Sequence, residues 1–211
     1  NAEFDKILVH QGDAEFVEIK SQTFPDEAIF DQLLALGTVL FVKKLHPVLP
    51  IMSRRNLQVP FINCEEMLDY NEGKDLNLWE LAVHYESARG NISHTEVFEK
   101  MRAIVRIMDN AIKLGLKGTQ YADRILGSQS LQFQEQLSNN RLVGGNANNL
   151  IIMYVSAMME VKSSMGVIVA APTAGSCGAL PGAVIGTAQS RELPEDEVVK
   201  AMLAAGIIGV F

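Results

Sequence analysis

Residues 93–114 constrain this chain more than any other segment. Val97, Met101, Ile104, Val105, Met108 and Ile112 recur at spacings of three and four, while Arg102, Arg106, Asp109 and Lys113 fall largely elsewhere. That is the period of an amphipathic helix whose apolar stripe must be buried against another element. Ser93 stands as an N-cap with Glu96 three residues on, the spacing of a capping box. Gly115 and Gly118 read as the end of the helix and the start of a turn. The same spacing recurs at 65–70 and 77–89. The stretch 148–165 is long, apolar and rich in methionine on nearly every side, which suits a helix buried in a helical core. Residues 129–137 and 195–211 also read as helices, the latter opened by Pro194 and three acids. The expected fold is mainly α, a helical bundle.

Ahead of the bundle the period changes. Lys6–His10 and Glu15–Lys20 are short and β-rich, with Val17 and Ile19 alternating with Glu18 and Lys20 as on a half-buried strand. The Gly12-Asp13 pair between them suits a hairpin turn. Pro25-Asp-Glu27 opens a possible short helix, and Thr38–Lys43 reads as a further strand. Two prolines in His46-Pro-Val-Leu-Pro50 exclude a regular helix or a central strand there. The expected division is a strand-containing segment and linker over 1–56, then a helical domain over 57–211.

Composition supports one sizeable core and narrows the function classes. Of 211 residues, 48% are hydrophobic and only 7% aromatic, so aliphatic side chains and methionine carry the packing. A net charge of -7 and a pI near 5.1 leave no electrostatic footprint for nucleic acid or an anionic membrane. The apolar stretches fall short of the roughly 18 residues that a spanning helix needs. The first residues have neither the basic start nor the apolar run of a signal peptide. Cys64 and Cys177 cannot make a disulfide scaffold, and isolated thiols suit a reducing compartment. The expectation is a soluble, acidic, cytoplasmic protein.

One segment carries chemistry. Pro172–Gly182 holds three glycines, two prolines, Thr173, Ser176 and Cys177. Glycines let backbone amides approach a ligand, and a following helix directs free N–H groups at a bound anion. Small hydroxyls and a thiol in such a turn can bind a carboxylate, ligate a metal or act as a nucleophile. A tight structural connection between two buried elements needs Gly and Pro just as much. Elsewhere the signals are weaker. His10, His46, His84 and His94 show no His-x-x-x-His spacing and read as exposed or satisfied. Glu160 and Lys162 precede the loop and are candidate bases, although helices carry such charges on solvent faces by default. Asn146, Asn148 and Asn149 can offer amides to a ligand or serve as local caps. Cys64 reads as a buried structural thiol.

The run Gly166-Val-Ile-Val-Ala-Ala-Pro-Thr-Ala-Gly-Ser-Cys-Gly-Ala-Leu-Pro-Gly-Ala-Val184 closely resembles the signature of iron–sulfur-dependent L-serine dehydratases, in their α-chain or α-domain. Asn63-Cys-Glu-Glu-Met-Leu-Asp-Tyr70 and Leu76-Asn-Leu-Trp-Glu-Leu-Ala82 resemble the opening of that domain. Met108–Gly118 and Met158–Gly166 resemble two later helices, so the likeness extends from about residue 60 to 211. It implies deamination of L-serine to pyruvate and ammonia, with a 4Fe–4S cluster acting as Lewis acid on the substrate hydroxyl. Carried over by position, Cys177 is the implied cluster and metal ligand. Thr173, Ala174, Gly175 and Ser176 are the implied loop that receives the serine carboxylate. A homodimer is implied as well.

The chain also departs from that pattern. The family's two other cluster cysteines are expected shortly beyond an Ala-Ala-Gly stretch like the one at 204–206, and only Cys64 remains here to accompany Cys177. Residues 1 to about 55 look like the final hairpin and Pro-rich exit of the family's β-domain. Asn91-Ile-Ser-His-Thr95 has only a superficial likeness to the family's Ser-Ser-His-Thr type motif, since Ser93 reads better as a cap. The expectation is a portion of a larger dehydratase, inactive by itself. Two other readings stand beside it: a non-catalytic homologue that binds a small amino acid, and a related cluster-dependent cysteine desulfidase.

Overall fold

The computed structural model describes residues 6–20, 25–42, 44, 58–120, 128–171, 173 and 175–211. The chain forms two compact units, Asn1–His46 and Pro47–Phe211.

In the first unit, β1 (Lys6–His10) and β2 (Phe16–Lys20) pair antiparallel, with Lys6 opposite Lys20 and His10 opposite Phe16. The hairpin follows the expected pattern, but its burial does not. Val17 and Ile19 are 50% and 46% exposed, because a two-stranded ribbon has no second layer to cover either face. Helix α1 spans Glu27–Ala35 behind Pro25. Thr38–Val42, expected as a strand, lies outside any helix or strand. Among the described residues the sheet has two strands only, so this segment has no ladder to join. Lys43 and the run His46–Pro50 fall outside the described residues.

The second unit is helical: α2 (Cys64–Asn71), α3 (Leu78–Gly90), α4 (His94–Leu116), α5 (Ser130–Ser138), α6 (Gly145–Ser163), α7 (Ala179–Ser190) and α8 (Glu195–Ile208). The fold is mainly α, as the periodicity predicts. The Ser93 hydroxyl accepts the Glu96 N–H at 3.1 Å and starts α4 where the capping spacing placed it. Met108 and Ile112 of α4, Met158 and Val161 of α6, and Val199 and Leu203 of α8 meet in one core. α6 is its centre, packing on α4, α5 and α7, while α8 closes over α3 and α4.

Two glycine features set the helix spacing. Gly115 does not end α4; it lies within the last turn, and a Cβ there would stand 2.3 Å from the carbonyl oxygen of Ala157. Gly118, with φ +93°, makes the turn instead. On the other side of α6, Gly178, Gly182 and Gly186 fall four residues apart, one helical face. A Cβ at Gly182 would meet Val155 at 2.5 Å, and one at Gly186 would meet Ile151 at 3.0 Å.

The acidic start of α8 is held by α4. Arg106 Nε donates to Glu195 at 2.8 Å, and Arg102 Nη1 reaches Glu195 at 2.9 Å and Asp196 at 2.6 Å. Hydrogen bonds from Arg106 and then Arg102 hold the Glu195 carboxyl at about 2. A depressed carboxyl stabilises the fold above its ordinary range, and that contribution is lost as pH falls toward about 2. Glu195→Gln is expected to lower the melting temperature slightly at pH 7, with the two proteins converging in acid. Thermal melts across pH at low and high salt check this, because added salt should narrow the gap for so exposed a pair.

Candidate functional site

The loop before α7 is built from its own hydroxyls. Residues 167–170 lead in from the core, with Val169 buried. At the turn, the Thr173 N–H donates to Ser176 Oγ at 3.2 Å, and the Ser176 N–H donates to Thr173 Oγ1 at 3.3 Å and to the Thr173 carbonyl at 3.2 Å. Ser176 Oγ in turn donates to the Ala171 carbonyl at 2.9 Å, and the two hydroxyl oxygens stand 3.1 Å apart. Small hydroxyl residues three apart favour such local side-chain-to-backbone turns. Ser176 has one hydroxyl proton, and Ala171 is its best acceptor. With that proton given to Ala171, the Thr173 hydroxyl is the donor across the 3.1 Å contact, and a ligand would take its proton in exchange for Ser176.

Beyond the turn the chain goes under the surface. Cys177 is wholly buried, and Gly178 begins α7 without a side-chain cap. Pro181, third in the helix, has no N–H, and the first helical bond runs from Gly182 N to Gly178 O at 2.9 Å. The amides ahead of it keep the positive end of α7 beside the Thr173–Ser176 turn. Gly178 has φ -92°, so left-handed freedom is not what the loop uses it for. Gly178 instead gives room to Met159 and to the Val155 carbonyl of α6. Thr173, Gly175, Ser176 and Cys177 are thus contiguous at the head of α7; Ala174 and Pro172 lie outside the described residues.

The other candidates separate from this loop. Glu160 caps α5: its Oε1 accepts the N–H groups of Gln129 at 2.6 Å and Ser130 at 2.9 Å. Its Oε2 accepts the Ser128 and Ser130 hydroxyls at 3.0 and 2.9 Å. Burial alone would raise its carboxyl, but these donors outweigh it and hold the group below its ordinary value. An acid so saturated is a poor proton acceptor. Lys162 lies in the last turn of α6, half-buried. Asn146 and Asn148 are exposed in the first turn of α6, and Asn149 is buried. Cys64, expected to be buried, is instead exposed in the first turn of α2, whose partly buried residues lie elsewhere on the helix. His10 is exposed on β1, and His46 falls outside the described residues.

His84 and His94 were the least legible pair. Their rings meet with centroids 4.5 Å apart across the α3–α4 hairpin, and the Tyr70 hydroxyl lies 3.0 Å from His84 Nδ1. Burial first, then the proximity of His94 and Lys74, holds His84 below its ordinary value. The signal available in sequence was the repeated i, i+1, i+4, i+5 pattern at 79, 80, 83, 84 and at 94, 95, 98, 99, which places each set on one helix face. Among the described residues no three His, Cys, Asp or Glu come together as a metal-binding group. None of the described helices is long and apolar enough to cross a membrane.

The helical unit and its loop place the chain in a known class. The family model for the serine dehydratase alpha chain matches residues 73–211, and the chain belongs to that family. Among characterised relatives, it is 22% identical over 149 residues to the "Probable L-serine dehydratase, alpha chain" of Bacillus subtilis (strain 168), covering 71% of this chain and 50% of the relative. It is 24% identical over 148 residues to the "L-serine dehydratase, alpha chain" of Peptoniphilus asaccharolyticus, covering 69% and 50%. The chain thus spans about half the length of these relatives. No solved structure matches it at a significant level.

Proposed function

We propose that this chain is part of an L-serine ammonia-lyase that converts L-serine to pyruvate and ammonia. The observation that carries the reading is the Thr173–Ser176 hydroxyl turn set against the positive end of α7, inside the segment that matches the family. A serine carboxylate would take the Thr173 hydroxyl proton and the free amides of that helix end, through the stretch Thr173, Ala174, Gly175 and Ser176. Ser176, already tied to Ala171, would hold the turn in shape.

The family resemblance adds a 4Fe–4S cluster with Cys177 as one ligand. Such a cluster is held by at least three thiolates when one iron stays open to substrate. This sequence has two cysteines, one wholly buried and one exposed, and no metal-binding group of three forms among the described residues. The residues present therefore do not fit the cluster by themselves, and the reading requires two further thiolates. In the same reading residues 1–56 are the end of a β-domain-like segment with its linker. Residues 57–211 are the first part of the helical α-domain, the protein is a cytoplasmic homodimer, and the 211 residues alone do not turn over serine.

The test is anaerobic reconstitution with iron and sulfide of this chain and of the full-length protein that contains it, followed by visible absorption and pyruvate release. Only the full-length protein should gain colour and activity, and Cys177→Ser should remove both. Thr173→Val should raise KM with the absorption intact. A full-length protein that stays colourless and inert while still binding serine would replace this reading with the amino-acid-binding one.

A further inference from the structure

A cavity of about 360 Å³ lies between α3 and α4, neither of which carries the 172–182 loop. Trp79, Glu80 and His84 enter it from α3, and His94, Phe98 and Glu99 from α4. Four of these six are aromatic rings. Trp79 and Phe98 stand edge to face with centroids 6.1 Å apart, and His84 and His94 are tilted at 4.5 Å. The other two are carboxylates. Among the described residues that line the cavity there is no lysine or arginine.

We propose that this cavity binds a small organic cation, an amine or a quaternary ammonium compound. The ring faces carry negative potential and attract cations, more strongly where water is excluded. Glu80 adds to that sign, while Glu99 shares its charge with Arg102 at 3.2 Å. Glu80 is kept ionised by the Asn77 backbone N–H and then its side-chain amide, at 2.8 and 2.7 Å, both on Oε2. His84, held below its ordinary value first by burial, contributes a neutral ring near pH 7. The rings already show this preference toward the protein's own cations. Lys200 Nζ lies 5.4 Å from the Trp79 centroid, and Arg102 Cζ lies 5.2 Å from that of Phe98. Lys200 is answered by Glu197 of α8 at 2.7 Å, and Arg102 by Glu195 and Asp196 of α8 and by Glu99 of the cavity itself at 3.2 Å. An anion would face Glu80 and the Arg102-paired Glu99, and a metal ion would lack a ligand set of three. The volume falls at the lower end of small-molecule sites.

The site should also respond to pH. The titratable and charged groups around the histidine pair are Tyr70 and Lys74 beside α2, Glu80 on α3, His94 and Glu99 on α4, and Lys200 on α8. Protonation of His84 would add positive charge to the cavity, so binding should weaken as pH falls below the ordinary histidine range.

The test uses choline and its uncharged isostere 3,3-dimethylbutan-1-ol, titrated into the 211-residue chain by calorimetry and ligand-observed NMR. Choline should bind saturably at pH 7.5, about 10-fold more tightly than the isostere, a difference within the range of a desolvated cation–π contact. Glu99→Gln, at a surface position, should weaken choline and leave the isostere unchanged. Trp79→Leu should weaken both, with circular dichroism confirming its helices. Equal affinity for the two probes, no saturable choline binding, or choline affinity unmoved by Glu99→Gln would each overturn the proposal.

Discussion

Gly115→Ala is expected to be the most damaging single methyl in this protein. The new Cβ would sit 2.3 Å from the Ala157 carbonyl oxygen, 2.6 Å from its carbon and 2.8 Å from its Cα, all of them backbone. No rotamer change relieves a clash with main chain, so α4 and α6 must move apart. Neither can shift without disturbing Met108, Ile112, Met158 and Val161 in the core between them. The Gly115 carbonyl also lies 3.2 Å from the Ser130 hydroxyl, so the start of α5 is disturbed too. A cost of about 3 kcal/mol, at the upper end of overpacking effects, is expected in urea unfolding. Gly206→Ala is the control. It sits in α8 with nothing within 4 Å of the added Cβ, and should gain about 0.5–1 kcal/mol through helix propensity. Equal effects at the two positions would refute the close approach of α4 to α6.

Glu160→Gln should give the second large loss. The carboxylate accepts four hydrogen bonds at the start of α5, two of them from backbone amides at the positive end of that helix. A glutamine keeps one acceptor oxygen and points an amide at the remaining donors, one of which belongs to the wholly buried Ser130. The expected cost is about 1–3 kcal/mol, since charge-assisted bonds are lost and donors are left unpaired. Because the folded carboxyl lies below its ordinary value, its stabilising effect is complete above the ordinary carboxyl range. It is lost as pH falls through the lowered value. Urea midpoints of the two proteins should therefore differ at pH 7 and approach each other in acid. A gap that persists unchanged at low pH would mean that the charge is not what caps α5.

What was legible in the sequence was what depends on near neighbours. The stripe from Val97 to Ile112, the Ser93 cap and the β1–β2 pairing are all set within a few residues or by a simple period. The family signature is local as well, because its hydroxyls bond three residues apart. Gly115 misled because a glycine near a helix end has two uses, and only the position of Ala157 decides between them. Thr38–Val42 has strand-forming residues, but a strand exists only where another strand offers its ladder. Glu160 reads in sequence as a candidate base or a solvent-face charge on the helix before the signature, and its partners lie some thirty residues away. The meeting of His84 with His94 follows from the angle between two helices, which periodicity does not report.

The three glycines at 178, 182 and 186 have a mechanical consequence. A contact made of leucines can yield by degrees, each side chain finding another rotamer as the helices slide. A contact made of bare backbone has no such give, since there are no torsions left to rearrange. α6 is gripped this way at Ala157 by Gly115 and at Ile151 by Gly186, whereas Gly182 and Gly178 first meet the side chains of Val155 and Met159. The far part of α7 is thus fixed to α6 as a stiff bracket, while its head, where Gly178 meets the pliable Met159 side chain, keeps some give beneath the hydroxyl turn.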